Sequence, residues 1–325
     1  MSKRIVIRKH GGPEVLETES FAPSKPAAGE ALVRHTAIGL NYIDTYFRSG
    51  LYPAPGGLPY VPGNEAAGVV EAVGDGVSEV KVGQRVAYAS GPGSYAQHRV
   101  MSAKALVPLP DKVTDEQAAA MMLKGMTAQY LLRQTYVVKP GDTILVHAAA
   151  GGVGLIACQW SKALGATVIG TVGSKEKAAL AKAHGCDHVI LYNDEDFAAR
   201  VKEITGGKGL PVVYDGVGKT TFMKSLDCLR PRGLMVSFGN ASGAVDAFNL
   251  GILASKGSLY VTRPTLYSYT ATREDLLACA NDLFAVVGNG SVKIEINQRY
   301  KLDEAVKAHE DLEGRRTTGS TILTV

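Results

Sequence analysis

The sequence predicts an α/β fold, a doubly wound parallel sheet joined to a small β-rich barrel, and three observations predict it. First, the apolar run Ile144-Leu145-Val146 passes through His147 and three alanines into Gly151-Gly152-Val153-Gly154, and a helix-forming stretch, Leu155 to Leu164, begins at once. Second, from Asp142 onward β-prone and helix-forming stretches alternate, the pattern of parallel strands joined by crossover helices. Third, in the N-terminal third short β-prone pieces are punctuated by Gly-Pro, Pro-Gly and Asp-Gly pairs, a regular spacing that suggests a barrel.

In the N-terminal part, Ile5–Arg8, Glu30–Ile38, Ala66–Val73, Arg85–Ala89, Tyr95–Val100 and Ala105–Pro108 read as strands. From Asp115 the pattern turns helical, with Ala118-Ala119-Ala120-Met121-Met122 leading into Thr127–Leu132. Strands then alternate with helices at Thr143–Ala148, Thr167–Thr171, His188–Leu191, Val212–Asp215, Leu234–Phe238 and Ser258–Thr262, enough for a doubly wound sheet. Beyond Arg263 a helix at Arg273–Val287, a strand at Lys293–Gln298, a helix at Leu302–Leu312 and a strand at Ser320–Val325 close the chain, with no internal repeat.

The turn after Val146 carries chemistry. Its spacing, Ala148-x-x-Gly151-x-x-Gly154, is a variant of G-x-G-x-x-G. A helix that starts there offers unpaired N–H groups to a pyrophosphate, and small residues let backbone approach phosphate. The motif is weak alone, because a glycine turn under a tightly packed helix looks the same. The strand Thr167–Thr171 at βαβ distance strengthens it and predicts a nicotinamide dinucleotide site. An NAD site places an acidic residue about 20 residues beyond the glycines. Here the strand runs into Gly173-Ser174-Lys175-Glu176-Lys177, with space at Gly173 and Ser174 and positive charge at Lys175 and Lys177. That favours the 2′-phosphate of NADPH, against the plainer alternative of two solvated lysines opening a helix.

The other properties exclude more than they assign. A chain of 325 residues, 46% hydrophobic and 20% charged, suits two globular domains. A net charge of +4 without a dense lysine-arginine run makes nucleic acid an improbable main ligand. Cys158, Cys186, Cys228 and Cys279 are widely spaced, which argues against a disulfide framework and fits a reducing, cytoplasmic compartment. No apolar stretch is long enough to span a bilayer.

At this level the chain resembles the medium-chain dehydrogenase/reductase superfamily, and within it the zinc-independent NADPH:quinone oxidoreductases, the zeta-crystallin-like group in its bacterial form. The resemblance covers essentially the whole chain. It rests on Gly39-Leu40-Asn41-Tyr42-Ile43-Asp44-Thr45-Tyr46, Pro62-Gly63-Asn64-Glu65-Ala66-Ala67-Gly68, Val82-Gly83-Gln84-Arg85-Val86, the Ala148–Gly154 turn, Tyr214-Asp215-Gly216-Val217-Gly218 and Thr262-Arg263-Pro264. It implies a GroES-like catalytic domain at 1–122, a Rossmann NADPH-binding domain at 123–262, and a segment at 263–325 that returns to the first domain. It further implies an active site in the cleft between the domains and a homodimer built by joining sheet edges near Ser258–Thr262.

Zinc relatives carry a cysteine ligand where this chain has Asn41 and a histidine ligand where it has Asn64. A neutral amide neither balances nor suits zinc, so no metal is expected. A site made of Glu65, Asp44, His35 and His98 is less expected than a paired carboxylate and surface histidines. Without a Lewis acid, hydride transfer to a conjugated acceptor is the easier chemistry, and a quinone is the expected substrate. Asn41, Tyr46 and Tyr52 are the candidate catalytic residues, although the tyrosines also suit domain packing.

The resemblance extends cofactor contacts to Asn41, Tyr42, Ile43, Tyr46, Thr127, Tyr130, Gly151, Gly152, Val153, Gly173, Ser174, Lys177, Tyr192, Val217, Phe238, Gly239, Asn240, Ser242, Pro264 and Leu266. Gly218 follows the same strand as Val217. Arg315 is preferred to Arg316 for a phosphate contact. Asp215 reads as the cap of the turn before Gly216, not as an acid. Two alternatives remain: a zinc-free enone or enoyl reductase, and a non-enzymatic NADPH- or nucleic-acid-binding protein.

Overall fold

The structure is a computed structural model that describes residues 1–325. The chain runs through β1 (Ser2–Ile7), β2 (Leu16–Phe21), β3 (Glu30–Leu40), α1 (Tyr42–Ser49), β4 (Glu65–Val73), β5 (Arg85–Ala89), β6 (His98–Ser102), β7 (Val107–Pro108) and α2 (Asp115–Tyr130). Next come β8 (Thr143–Val146), α3 (Gly152–Ala163), β9 (Thr167–Val172), α4 (Lys175–Ala183), β10 (His188–Leu191), α5 (Phe197–Ile204), β11 (Leu210–Asp215) and α6 (Phe222–Ser225). They are followed by β12 (Leu229–Ser237), α7 (Gly251–Ser255), β13 (Tyr260–Thr262), α8 (Leu266–Tyr269), α9 (Arg273–Gly288), β14 (Ile296–Lys301), α10 (Ala305–Glu313) and β15 (Ser320–Thr324).

Two compact units result, one of residues 1–126, 270–288 and 294–325, the other of residues 127–269 and 289–293. In the first, a seven-stranded sheet has the order β14-β15-β3-β4-β5-β7, with β6 also paired to β3, and β1 and β2 form a separate ribbon. The last strand, β15, runs antiparallel to β3, which ties the C-terminal segment into the N-terminal sheet. Alternation explains how: Leu323 faces a core that holds Val33, Ile38, Val86 and Tyr88 together with Leu302 and Ala308.

In the second unit all neighbours are parallel and the order is β10-β9-β8-β11-β12-β13. Renumbered from β8, that is 3-2-1-4-5-6, the doubly wound dinucleotide-binding order. Strand order reverses between β8 and β11, and ligands of open α/β sheets bind beyond the carboxyl ends of such strands. Strand β11 is buried along its whole length, as a central parallel strand must be.

The sequence-derived elements need some correction. β2 and α1 were not foreseen as elements, because Glu17 and Glu19 dilute the strand pattern and α1 is only eight residues long. The strand expected at Tyr95–Val100 lies at His98–Ser102, and that expected at Lys293–Gln298 lies at Ile296–Lys301.

Candidate functional site

In the second unit the chain leaves β8 and turns at Ala148, whose φ of +53° is left-handed and costs an L residue about 1–2 kcal/mol. Gly151 N donates to Ala148 O at 2.9 Å and closes the turn. Helix α3 then starts with glycine as its N-cap, with no side chain to occupy the first N–H groups. A Cβ at Gly154 would overlap the Ala148 carbonyl oxygen and come within 2.8 Å of the Ala149 backbone. The helix therefore sits directly on the turn, and a pyrophosphate fits a cradle built from backbone alone.

Beyond β9, Ser174 caps α4 by accepting from Lys177 N at 3.3 Å. Gly173 is held by Asn193, whose Nδ2 donates to its carbonyl at 2.8 Å. A Cβ on Gly173 would meet the Tyr192 hydroxyl at 2.6 Å. Gly173, Ser174, Lys177 and Tyr192 thus gather at one strand end. Glu176, on the first turn of α4, is exposed, and its own backbone N–H and Ser174 hold its pKa below the usual carboxylate value. No acidic residue ends β9, and the small and basic residues that follow it suit a 2′-phosphate.

Asp215 ends β11 as a cap. Its Oδ1 accepts from Val217 N at 2.7 Å and Gly218 N at 3.0 Å, and its Oδ2 accepts from Thr221 Oγ1 at 2.7 Å. The loop after β12 packs on it: Ser242 N and Oγ both donate to Val217 O at 2.8 Å, and Gly239 lies where a Cβ would overlap Gly216. Val217, Phe238, Gly239, Asn240 and Ser242 therefore form one double loop. Arg263 Nη1 donates to Ser237 O at 2.9 Å beside it, Pro264 follows, and Leu266 is buried at the start of α8. Tyr130 is buried and stacks on Tyr269 with 4.6 Å between ring centroids, so its ring face is used in packing; Thr127, one turn earlier, is half-buried.

The first unit holds the other group of candidates. Tyr46 and Tyr52 pack edge-on at 5.3 Å, and the Tyr52 backbone N donates to Tyr46 O at 3.1 Å. Ile43 is half-buried on the first turn of α1. Tyr42 turns its hydroxyl to Leu312 O at 2.9 Å on α10. Near the end of α10, Arg316 is committed to Asp311 at 2.7 Å, while Arg315 adopts a left-handed φ of +57°.

Asn41 lies at the N-terminus of α1 in a buried polar network that the sequence does not announce. Its Nδ2 donates to Glu65 Oε1 at 2.8 Å. Lys124 Nζ, on α2, donates to the same oxygen, and Leu123 N donates to Oε2 at 2.6 Å. Asp44 Oδ2 accepts from Asn41 N at 2.9 Å, and Asp44 Oδ1 accepts from Asn64 Nδ2 at 2.5 Å. Burial raises the Asp44 carboxyl to about 6, against the lowering pull of Asn64, Asn41 and Tyr95.

From Asp44 a directed chain runs outward. Arg48 Nη1 can only donate, so His309 Nδ1 accepts from it at 2.8 Å. The other nitrogen, His309 Nε2, then carries the proton and donates to Tyr95 Oη at 3.0 Å, and Tyr95 Oη donates to Asp44 Oδ2 at 3.0 Å. Burial, with the Arg48 charge adding to it, lowers His309 to about 3, which keeps it neutral. Arg48 also makes a two-pronged pair with Glu313 at 2.8 Å.

These contacts correct one expectation and bear out another. His35 is not a surface histidine: it is buried, bonded to Ala96 O at 2.6 Å and Tyr88 Oη at 2.8 Å, and desolvation lowers it to about 4. Glu65 is the paired carboxylate expected, and its partner is Lys124. Lys124, Tyr95, Arg48 and His309 were missed. A lone lysine inside the apolar stretch Ala118–Met126, and Asp44 three residues after Asn41 as in a capping box, were the available signals. Nor did spacing reveal that the free thiols of Cys158 and Cys186 lie 3.4 Å apart.

Two family models match: an alcohol dehydrogenase GroES-like domain at residues 27–111 and a zinc-binding dehydrogenase at residues 152–282. The quinone oxidoreductase of Pseudomonas aeruginosa is 61% identical over 324 residues, 99% of each chain. A crystal structure of Pseudomonas syringae quinone oxidoreductase superposes with a TM-score of 0.98 at 59% identity over all of both chains. Escherichia coli quinone oxidoreductase complexed with NADPH superposes with a TM-score of 0.98 at 54% identity over 99% of this chain and 100% of its own. The fold and its glycine loop define a dehydrogenase of the medium-chain type. The chain belongs to the zinc-independent quinone oxidoreductases of the medium-chain dehydrogenase/reductase superfamily.

Proposed function

We propose that this protein reduces quinones by hydride transfer from NADPH without a metal. The observation that carries the reading is the state of the two asparagines. Asn41 and Asn64 stand where zinc relatives place ligands, yet each uses its Nδ2 to donate to a buried carboxylate, and a lysine ammonium already neutralises one of these. No three His, Cys, Asp or Glu side chains gather anywhere into a metal-binding cluster. A donor set of amides and a paired carboxylate suits an organic acceptor better than zinc.

The second unit would hold the cofactor: Gly151, Gly152 and Val153 at the pyrophosphate, and Gly173, Ser174, Lys177 and Tyr192 at the 2′-phosphate. Val217, Phe238, Gly239, Asn240, Ser242, Pro264 and Leu266 follow along the strand ends, with Thr127 and Tyr130 as further contacts; Arg315, a residue of the first unit, is the remaining phosphate contact proposed. Asn41, Tyr42, Ile43 and Tyr46 take the nicotinamide end, and bound NADPH supplies the hydride there. Tyr46 and Tyr52 give a flat acceptor an aromatic wall with hydroxyl groups, and Asn41 supplies a fixed amide dipole where charge builds on the acceptor oxygen. Residues 1–122 and 263–325 then serve as the catalytic part and 123–262 as the cofactor-binding part.

The working form is a cytoplasmic homodimer. Its support is the edge position of β13, where Tyr260 is 60% exposed, together with four free, buried thiols that suit a reducing compartment. No helix is long and apolar enough to cross a membrane. NADPH oxidation measured with a panel of quinones, enones and enoyl thioesters at fixed salt tests the function. Quinones should turn over fastest; faster turnover of an enone or thioester, or no oxidation with any quinone, overturns it.

A further inference from the structure

The pair Lys124–Glu65 has no evident reason to exist for stability. Both side chains are buried, at 7% and 0% exposure, and exchanging such a pair for well-packed apolar residues is often neutral or stabilising. The fold nevertheless makes room for it. A Cβ on Gly39 would overlap the Glu65 side chain and the Ala119 carbonyl oxygen, so β3 carries glycine at the point where the carboxylate passes. All three hydrogen bonds into the carboxylate come from donors, and one of those donors is Asn41.

We propose that Lys124 is a positioning residue for the reduction, acting through Glu65 to hold the Asn41 amide in one orientation. The inference rests on the assignment of Asn41 to the acceptor site. An ionised carboxylate has no proton to donate, so only the Nδ2 end of the amide can face it. With Lys124 Nζ and Leu123 N also donating to it, the carboxylate presents acceptors alone and the amide cannot flip. Asn64 is clamped in the same way by Asp44, so both amides present one face and not two. A glutamine at position 65 must keep its carbonyl oxygen on Leu123 N, so its NH2 would face Asn41 and turn that amide round.

The test is a set of variants read by stopped-flow hydride transfer at saturating NADPH with one quinone, alongside NADPH affinity and melting temperature. Lys124→Met should slow the transfer about tenfold to a hundredfold, the scale of a misplaced reacting group, with NADPH affinity unchanged. Lys124→Arg should recover most of the rate. Because Lys124→Met strands a charge and risks the fold, the Lys124→Met/Glu65→Gln double variant is decisive. It leaves no charge at this pair, should melt like the wild type, and should stay slow because its amide is turned round. A wild-type rate in that double variant would mean the lysine only neutralises Glu65, and the inference fails. Adding Asn41→Ala to Lys124→Met should cost little more than Asn41→Ala alone; losses that multiply independently also overturn the proposal. The underlying assignment fails differently, through an Asn41→Ala variant that transfers hydride at the wild-type rate.

Discussion

The two groups of candidate residues, one in each unit, are made of different material. In the second unit the cofactor cradle is backbone: a left-handed Ala148, a glycine N-cap at Gly151, and Gly154 pressed against the turn. In the first unit the group proposed for the acceptor is a web of buried side chains, in which Asn41, Asp44, Asn64, Glu65 and Lys124 satisfy one another. A backbone cradle fails when a side chain is added, and a side-chain web fails when one is removed. The two regions should therefore respond to mutation through different observables, the first through cofactor affinity and the second through turnover.

The largest effect should come from filling the cradle. Gly154→Val places branched carbon into the Ala148 carbonyl and the Ala149 backbone, where nothing flexible can yield. NADPH affinity should fall by ~3 kcal/mol or more, and overpacking should lower stability by ~1–3 kcal/mol. Fluorescence titration and thermal unfolding measure both; near-wild-type affinity would break the contrast at its first term. Lys177→Ala sharpens it on the same side. Losing a charge-assisted hydrogen bond to a 2′-phosphate should weaken NADPH by about 1–3 kcal/mol and leave NADH unmoved. Equal losses in calorimetric titration of both cofactors would assign Lys177 to the fold.

Legibility in the sequence divides along the same line. The cradle could be read because backbone constraints are local: a turn that admits only small residues writes glycines at fixed spacing within seven positions. Asp215 could be read as a cap for the same reason, since its partners Val217 and Gly218 are two and three residues away. The web could not be read, because its partners come from afar. Tyr95 and His309 are 214 residues apart, and Arg48 and Glu313 are 265 apart. Nothing local distinguishes His309, the mediator of that chain, from any other histidine on a helix, and His35 misled for the same reason.

On the acceptor side, Asn41→Ala should cost about 2 kcal/mol in kcat/KM if its amide stabilises charge on the quinone oxygen. NADPH affinity should change little. A loss confined to NADPH binding would place Asn41 with the cradle and erase the distinction between the two groups.

The web also predicts how stability follows pH. Burial lowers His35 to about 4 and His309 to about 3 from an ordinary 6.5. Each is neutral in the folded protein but charged when unfolded below pH 6.5, so each contributes a stability that is lost as pH falls. Asp44 opposes them, because its folded value of about 6 lies above an ordinary 3.8 and makes stability fall as pH rises between those values. The histidines outnumber it, so stability should rise with pH between about 4 and 6.5, at ~1.4 kcal/mol per pH unit for each net proton. Denaturant unfolding across that range measures the slope. His309→Asn should flatten it, and a slope of the opposite sign would show that Asp44 dominates the web.

The smallest effect should come from Tyr46→Phe. The ring packs edge-on against Tyr52 and is nearly buried, and phenylalanine keeps that contact and the α1 backbone bond from Tyr52 intact. Only the hydroxyl is lost. If it bonds an acceptor carbonyl, turnover should drop by ~1 kcal/mol, the ordinary worth of one neutral hydrogen bond, with the melting temperature unmoved. Stopped-flow hydride transfer at saturating NADPH separates this from a change in binding. A wild-type rate would reduce Tyr46 to a wall of the site and leave the Asn41 amide as the one polar group there that the reaction feels. A drop in melting temperature without a drop in rate would move Tyr46 out of the site and into the packing of α1.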